Sequence, residues 1–207
     1  MENAHTIASL SDRPALEPGK VVGLVGPPGF GLTRVGLSML AESSQTGPVV
    51  YLDVRGWVNP LTAWEAGIPP ERLVIVRCSD RLLWPKATAA LLEGIRAVYA
   101  EVPPGVQESV LRRLAALARS RRSALLLRPL SGDLPTGVAY VRYEAREVSW
   151  DGPDAGHGRL EGRRMVLEAS GKGMSGIERM IEVEDDGADG VRMVSRLAAA
   201  PAGRVAG

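Results

Sequence analysis

The sequence predicts an α/β fold, with a mainly parallel sheet flanked by helices and with antiparallel strands added toward the C-terminus. Two observations carry this prediction. Up to about residue 136, short continuous apolar runs alternate with helix-like segments, which is typical of a parallel sheet that is covered on both faces. Beyond that point, segments of alternating apolar and polar residues follow one another without a helical pattern between them, which is typical of antiparallel strands.

The first half of the chain alternates strands and helices. The run VVGLV at 21–25 predicts a buried strand, and residues 33–44 follow with an apolar helical stripe. The remaining elements are, in order, a strand at 48–53, a short helix from Pro60, a strand at 72–77, a helix at 86–96, a strand at 97–102, an amphipathic helix at 107–119 and a strand at 124–130.

The second half of the chain predicts three further strands and a tail. The alternating segments lie at 138–148, 163–170 and 177–185, and we expect them to add as antiparallel strands to one edge of the parallel sheet. One domain is therefore expected over residues 1–185, with its first 16 residues as an N-terminal arm. Residues 186–207 are expected to form a tail that is either flexible or docks on a partner, because VRMVSRLAAA has the apolar and basic residues of a short amphipathic helix.

The composition argues against several classes of site and partner. Of the 207 residues, 45% are hydrophobic, 24% are charged and 4% are aromatic, as in a globular protein with an aliphatic core. The net charge of +1 gives no global sign of a nucleic-acid or membrane partner. The single cysteine, Cys78, and the two distant histidines, His5 and His157, argue against a disulfide framework and a metal site. Because neither a signal-peptide pattern nor a membrane-length apolar run occurs, we expect a cytoplasmic protein.

Arginine dominates the basic residues of the chain. Only three of the 25 basic residues are lysines, namely Lys20, Lys86 and Lys172. Together with the many alanines, glycines and prolines, this bias indicates a GC-rich genome rather than a function.

The segment GPPGFGLT, residues 26–33, is close to a phosphate-binding loop of the form G-x-x-x-x-G-K-[ST]. It keeps both glycines and the hydroxyl of that pattern, at Gly26, Gly31 and Thr33. Leu32 stands at the position of the lysine, whose charge holds the outer phosphates, and leucine cannot replace it chemically. Arg34 would point about 200 degrees away from Leu32 on a helix, so it is a poor substitute. We interpret the loop as a vestigial phosphate loop that now forms a strand–turn–helix corner, with residual nucleotide binding as the alternative.

The order of these segments resembles the RecA recombinase core from about residue 6 to residue 185. LEPGKVVGLVGPPGFGLT is similar to the approach to the phosphate loop in that family. VVYLDVRGWVNPLTAWEAGIPPERLVIVRCSD resembles the next block, with Asp53, Pro60 and Gly67 keeping the family's frame. The resemblance implies a RecA-like P-loop NTPase core.

The departures from the family pattern affect its chemistry. The glutamate that activates the attacking water falls on Arg55, a cation that cannot accept a proton. The magnesium-linked aspartate falls near Glu101, a polar sensor falls near Arg128, and only Lys172 lies near the place of a basic pair. We therefore expect a pseudo-ATPase with no catalytic residue, no metal and no cofactor, since phosphoryl transfer depends on positioning and charge neutralisation.

Among diverged bacterial RecA-like proteins, the chain is most similar to the ImuA family, including its ImuA-prime branch. That resemblance implies a non-catalytic adaptor in damage-induced mutagenesis, or translesion synthesis, as part of the SOS response. Its implied partners are an ImuB-like inactive Y-family polymerase relative and, through it, an error-prone DnaE-type polymerase and the sliding clamp, with RecA as a further candidate. The alternatives are a RecA-type DNA-dependent ATPase with an atypical loop, and a SulA-like or RecA-binding regulator.

Two further sets of residues are candidate contacts for a partner or for DNA. Trp57 and Arg55 lie in the loop after the second strand, and both residue types are favoured at interface hot spots, although core packing is the alternative for Trp57. The second set consists of Arg112, Arg113, Arg119, Arg121 and Arg122. These arginines could pair with DNA phosphates, but we favour a solvated helix end, because no aromatic residue is interleaved for base stacking.

Overall fold

The computed structural model describes residues 16–152, 161–185 and 191–197, and in this part of the chain nine strands form one sheet. The strands are β1 (Val21–Val25), β2 (Val49–Asp53), β3 (Leu73–Arg77), β4 (Ala97–Val102), β5 (Ala124–Pro129), β6 (Val141–Asp151), β7 (Gly162–Ser170), β8 (Arg179–Asp185) and β9 (Val191–Leu197). Their order across the sheet is β3-β2-β4-β5-β1-β6-β7-β8-β9. The predicted fold class is confirmed, because a parallel core is extended by antiparallel strands at one side.

Helices cover both faces of the parallel strands. They are α1 (Leu32–Ser44), α2 (Pro60–Glu65), α3 (Trp84–Gly94) and α4 (Glu108–Arg121). Successive residues of a strand point to opposite faces, so Leu126 of β5 packs with α1, and Leu125 and Leu127 pack with α3 and α4. This two-sided burial explains why the parallel strands are continuous apolar runs. No helix in the described part of the chain has both the length and the apolar character to cross a membrane.

Local signals account for where the first two helices begin. The backbone of Gly31 is left-handed, with φ of 74°, which turns the chain from β1 into α1. Gly36, within α1, lies so close to Tyr99 and Leu126 that a side chain there would collide with both, so glycine lets this helix approach the sheet. The Asn59 side chain accepts a hydrogen bond from the N–H of Leu61 at 3.1 Å and caps α2.

The direction of β6 differs from the prediction. We expected all three late strands to be antiparallel additions, but β6 pairs parallel with β1, and only β7, β8 and β9 run antiparallel. Val141, Tyr143 and Ala145 of β6 all pack into the core on the α1 face, whereas the residues between them are only partly buried. The alternating pattern therefore indicates that only one face of the strand is buried in the core. It does not indicate the direction of the strand.

The segment from Val191 is a strand rather than the predicted amphipathic helix. β9 pairs with β8 from Asp185↔Val191 to Met180↔Leu197, so the domain extends past the predicted boundary at residue 185. A helix of seven residues is marginal in isolation, whereas a strand here satisfies the open backbone edge of β8. Most of the predicted N-terminal arm (1–15) and the rest of the tail (186–190 and 198–207) lie outside the described residues.

Candidate functional site

The loop of residues 26–33 connects β1 to α1 at the carboxyl edge of the parallel strands. Gly29 and Gly31 have φ of 89° and 74°, a left-handed conformation that favours glycine. A Cβ at Gly26 would lie 2.8 Å from the Cβ of Ala145 and 3.0 Å from the Cδ1 of Leu32. The glycines are thus required by the corner itself, whether or not a ligand is bound.

An apolar side chain occupies the position of the phosphate-loop lysine. Leu32 is fully buried and belongs to the core on the α1 face, where the partly buried Phe30 also packs. Arg34 turns away from the loop, as its position on the helix predicts. Its Nη1 lies 2.9 Å from the Glu65 carboxylate of α2, and its Nε lies 2.8 Å from the Asp185 carboxylate of β8.

Glu101, at the end of β4, is bound by five donors. Its carboxylate accepts hydrogen bonds from the Tyr51 hydroxyl at 3.0 Å, the N–H of Val54 at 3.0 Å, the N–H of Arg55 at 3.2 Å, the Arg55 Nε at 3.0 Å and the Arg55 Nη2. Burial alone would raise the pKa of Glu101, but the hydrogen bonds and charge of Arg55 outweigh burial and hold that pKa below its usual range. Only 1% of Glu101 is exposed, so this is a buried ion pair with its hydrogen bonds satisfied.

This ion pair joins two of the positions at which the chain departs from the RecA pattern. The residue at the place of the catalytic glutamate donates to the residue near the place of the magnesium-linked aspartate. Glu101 therefore has its oxygens engaged, and Arg55 has its charge compensated. Among the described residues, no three histidine, cysteine, aspartate or glutamate side chains are grouped so that they could hold a metal ion.

The hydroxyl of the loop is also engaged. The Nη1 of Arg128, near the end of β5, donates a hydrogen bond to the Thr33 Oγ1. Arg128 is 5% exposed and lies opposite Glu101 in the β4–β5 register. The hydroxyl that would ligate magnesium in the resembling family is here a partner of a buried guanidinium.

A second arginine packs directly on the loop. A Cβ at Gly31 would collide with the guanidinium of Arg163, which reaches over from β7 and pairs with Asp185 of β8. Asp185 also binds Arg34, so one buried carboxylate holds two arginines beside the start of α1. Burial and the charge of Arg34 lower the pKa of Arg163, whereas Asp185 raises it. Sequence reasoning missed Arg163 and Asp185, because their place beside the loop depends on the register of distant strands.

These contacts do not fit a magnesium nucleotide. The lysine position is a buried leucine, the loop hydroxyl and the β4 carboxylate are bound by arginines, and a third guanidinium lies against Gly31. Pro27 and Pro28 also lack the backbone N–H groups that such a loop directs at phosphates. Lys172 lies in a short 3-10 turn at the opposite, amino edge of the sheet.

Trp57 is exposed on an ordered loop, so it is not a core residue. The Asp53 carboxylate at the end of β2 accepts from the N–H groups of Gly56, Trp57 and Val58 at 2.8, 3.3 and 3.1 Å. The guanidinium carbon of Arg55 lies 5.1 Å from the Trp57 ring centroid, within cation–π range. The indole is 75% exposed and is held by Asp53 below and by the anchored Arg55 beside it.

The basic residues of α4 lie apart from the Arg55–Trp57 loop. Arg112 pairs with Glu108 one turn earlier, and Arg121 lies 2.7 Å from Glu93 of α3. Arg113, Arg119 and Arg122 are exposed, and Arg122 ends the helix in a left-handed conformation. The end of α4 leads into the start of β5, so Arg119, Arg121 and Arg122 lie toward the amino edge of the sheet, away from Trp57.

Comparison with known proteins places the chain in a family. No curated protein matches it. The solved structure titled crystal structure of the RadB recombinase is similar, with a TM-score of 0.59 and 16% identity over 87% of this chain and 93% of that chain. This likeness shows a RecA-like fold. The profile of a family described as MT3502 N-terminal domain matches residues 12–135, which is more than half of the chain. The chain therefore belongs to the MT3502 N-terminal domain family.

Proposed function

We propose that the protein is a non-catalytic RecA-like adaptor in DNA-damage-induced mutagenesis. In this role it binds an ImuB-like inactive polymerase relative and helps to recruit an error-prone DnaE-type polymerase for translesion synthesis. The proposal combines the resemblance to ImuA proteins with the geometry of the vestigial nucleotide site. The similar RadB structure is that of a recombinase by its title, which is consistent with a role in DNA metabolism.

The observation that carries the proposal is that the vestigial site is closed by the chain's own side chains. Arg55 and Glu101 neutralise each other, Arg128 binds Thr33, and Leu32 is part of the core. Hydrolysis of a nucleotide requires free charges that are aimed at the phosphates and at the metal ion. A site whose charged groups are already paired supports binding of a macromolecular partner better than it supports catalysis.

An exposed apolar surface beside this site supports a partner. We define the carboxyl-edge patch as Trp57, Leu61, Leu82 and Leu83, whose exposed fractions run from 49% to 78%. The loops that carry it leave neighbouring strands, because Asp53 pairs with Arg77 and the N–H of Cys78 donates to the Asp53 carbonyl at 3.0 Å. Exposed apolar residues on neighbouring loops, together with a tryptophan and an arginine, are typical of a protein interface.

Equilibrium binding of the purified chain to a purified ImuB-like protein tests the proposal. We expect the substitution Trp57→Ser to weaken binding at least about tenfold, because it removes a pre-organised aromatic anchor. Ile177→Ser is the matched control, since Ile177 is also exposed but lies in the turn between β7 and β8. The proposal is wrong if the wild-type chain does not bind this partner. Binding to RecA, without binding to the ImuB-like protein, would favour the alternative function of a RecA-binding regulator.

A further inference from the structure

A pocket of about 290 Å³ opens at the amino edge of the sheet, opposite the vestigial phosphate loop. Its lining includes Lys20, Arg119, Tyr140 and Lys172, together with the glycines at 19 and 137. By sequence, Arg119 is a candidate contact for a partner or for DNA, and Lys20 has no predicted role. The fold brings these separate side chains to one place.

Backbone contacts fix the segments that carry the lining residues. The N–H of Tyr140, just before β6, donates to the Val21 carbonyl at 2.7 Å, and the N–H of Gly173 donates to the Tyr140 carbonyl at 2.9 Å. The N–H of Gly19 donates to the Ser123 carbonyl at 3.2 Å, which ties the start of β1 to the end of α4. The segments that line the pocket are therefore held by backbone hydrogen bonds at the amino edge of the sheet.

The charges around this pocket share one sign. Two of the chain's three lysines and one arginine line it, and among the described residues no aspartate or glutamate does. Within the described residues, Lys20, Arg119 and Lys172 form no ion pair, whereas Arg34, Arg142 and Arg163 each pair with a carboxylate. The Lys20 Nζ lies instead 3.9 Å from the centroid of the Tyr140 ring. Three cations that line one pocket repel one another, so an anion bound there would relieve that repulsion.

We propose that this amino-edge pocket binds a phosphate group. A phosphate offers several charged oxygens to separate cations at once, and lysine binds it as a compact point charge. The volume lies near the lower end of small-ligand sites, so it accommodates one phosphate with part of its sugar rather than a dinucleotide. The group comes either from a small phosphate compound or from the backbone of a nucleic acid, and the open face of the pocket admits both. This proposal does not rest on the adaptor function.

Titration of the full chain with two probes tests the site. One probe is inorganic phosphate, followed by calorimetry, and the other is a fluorescein-labelled single-stranded DNA oligonucleotide, followed by polarisation. We expect Lys20→Gln/Lys172→Gln to weaken binding of at least one probe about tenfold or more. The control Lys86→Gln/Arg113→Gln removes the same charge from exposed positions on α3 and α4, and we expect less than about twofold loss.

The two probes distinguish the two sources of phosphate. If DNA is the ligand, the double variant should also reduce the slope of log affinity against log salt by about 1.4, since two phosphate contacts are lost. Binding of phosphate without DNA would assign the pocket to a small phosphate compound. The variant Lys172→Arg, which keeps the charge, should bind like the wild type. The proposal is overturned if neither probe binds at millimolar concentration, or if the control variant loses as much affinity as the double variant.

Discussion

At the scale of single residues, the contact that most defines the vestigial site is the buried ion pair between Arg55 and Glu101. Both positions could be identified from the sequence, because Glu101 lies near the end of one recognisable strand of the RecA-like order and Arg55 follows another. The pairing itself could not be predicted, since the residues are 46 positions apart in sequence and meet only because β2 lies beside β4. By sequence, Arg55 and Glu101 are two separate departures from the RecA pattern. In the structure they form one ion pair in which each charge neutralises the other.

Breaking this pair should cost stability. We expect Arg55→Met to lower the free energy of unfolding by about 3 kcal/mol, because it leaves a buried carboxylate unpaired. Urea denaturation monitored by circular dichroism measures the change. Arg55→Met/Glu101→Gln should recover most of the loss, because no uncompensated charge then remains. An Arg55→Met variant as stable as the wild type would contradict the ion pair.

The cost of that substitution should depend on pH. In the wild type the pKa of Glu101 is lowered below its usual value of 4.5, so the unfolded chain binds the proton more readily and this contribution to stability is lost as pH falls. In Arg55→Met the buried carboxyl has lost its cation, its pKa rises, and stability increases as the group is protonated. The stability difference between the two proteins should therefore narrow on acidification from pH 7 toward pH 4. A difference that stays constant with pH would contradict this account.

At the scale of elements, the strand–loop–helix of β1 and α1 keeps the shape of a phosphate loop with an apolar interior. Restoring the lysine with Leu32→Lys should destabilise the fold by about 3 kcal/mol or more, because it places an ammonium group among core residues. Leu32→Met, which conserves volume, should cost less than about 1.5 kcal/mol. Thermal or chemical unfolding compares the two variants. A Leu32→Lys protein of unchanged stability would show that the loop interior is open.

The last strand is the element that local sequence predicted least well. A segment of seven residues does not specify whether it pairs with the edge of a distant sheet. The local pattern therefore predicts a helix where the structure has the strand β9. Deleting residues 191–207 should lower the free energy of unfolding by at least about 1.5 kcal/mol, because the buried Val191 and the β8 hydrogen bonds are lost. The exposed β8 edge should also increase aggregation, which light scattering measures. The control deletion of residues 198–207 leaves β9 in place and should be nearly neutral.

At the scale of the whole molecule, the two edges of the parallel sheet differ in character. The carboxyl edge, where that pattern holds a nucleotide, carries paired charges and exposed apolar residues. The amino edge carries a pocket lined by Lys20, Arg119 and Lys172, which form no ion pair within the described part of the chain. The class of fold followed from alternating strands and helices, but the placement of Lys20, Arg163 and Lys172 depends on long-range strand order, which no local pattern specifies.

The central claim is that the nucleotide site is closed by the chain's own side chains. Titration of the purified protein with magnesium and ATP, combined with a hydrolysis assay, tests it most directly. We expect no hydrolysis above the buffer rate in the wild type and no change in Thr33→Ala. Magnesium-dependent hydrolysis by the wild-type protein that Thr33→Ala abolishes would contradict it.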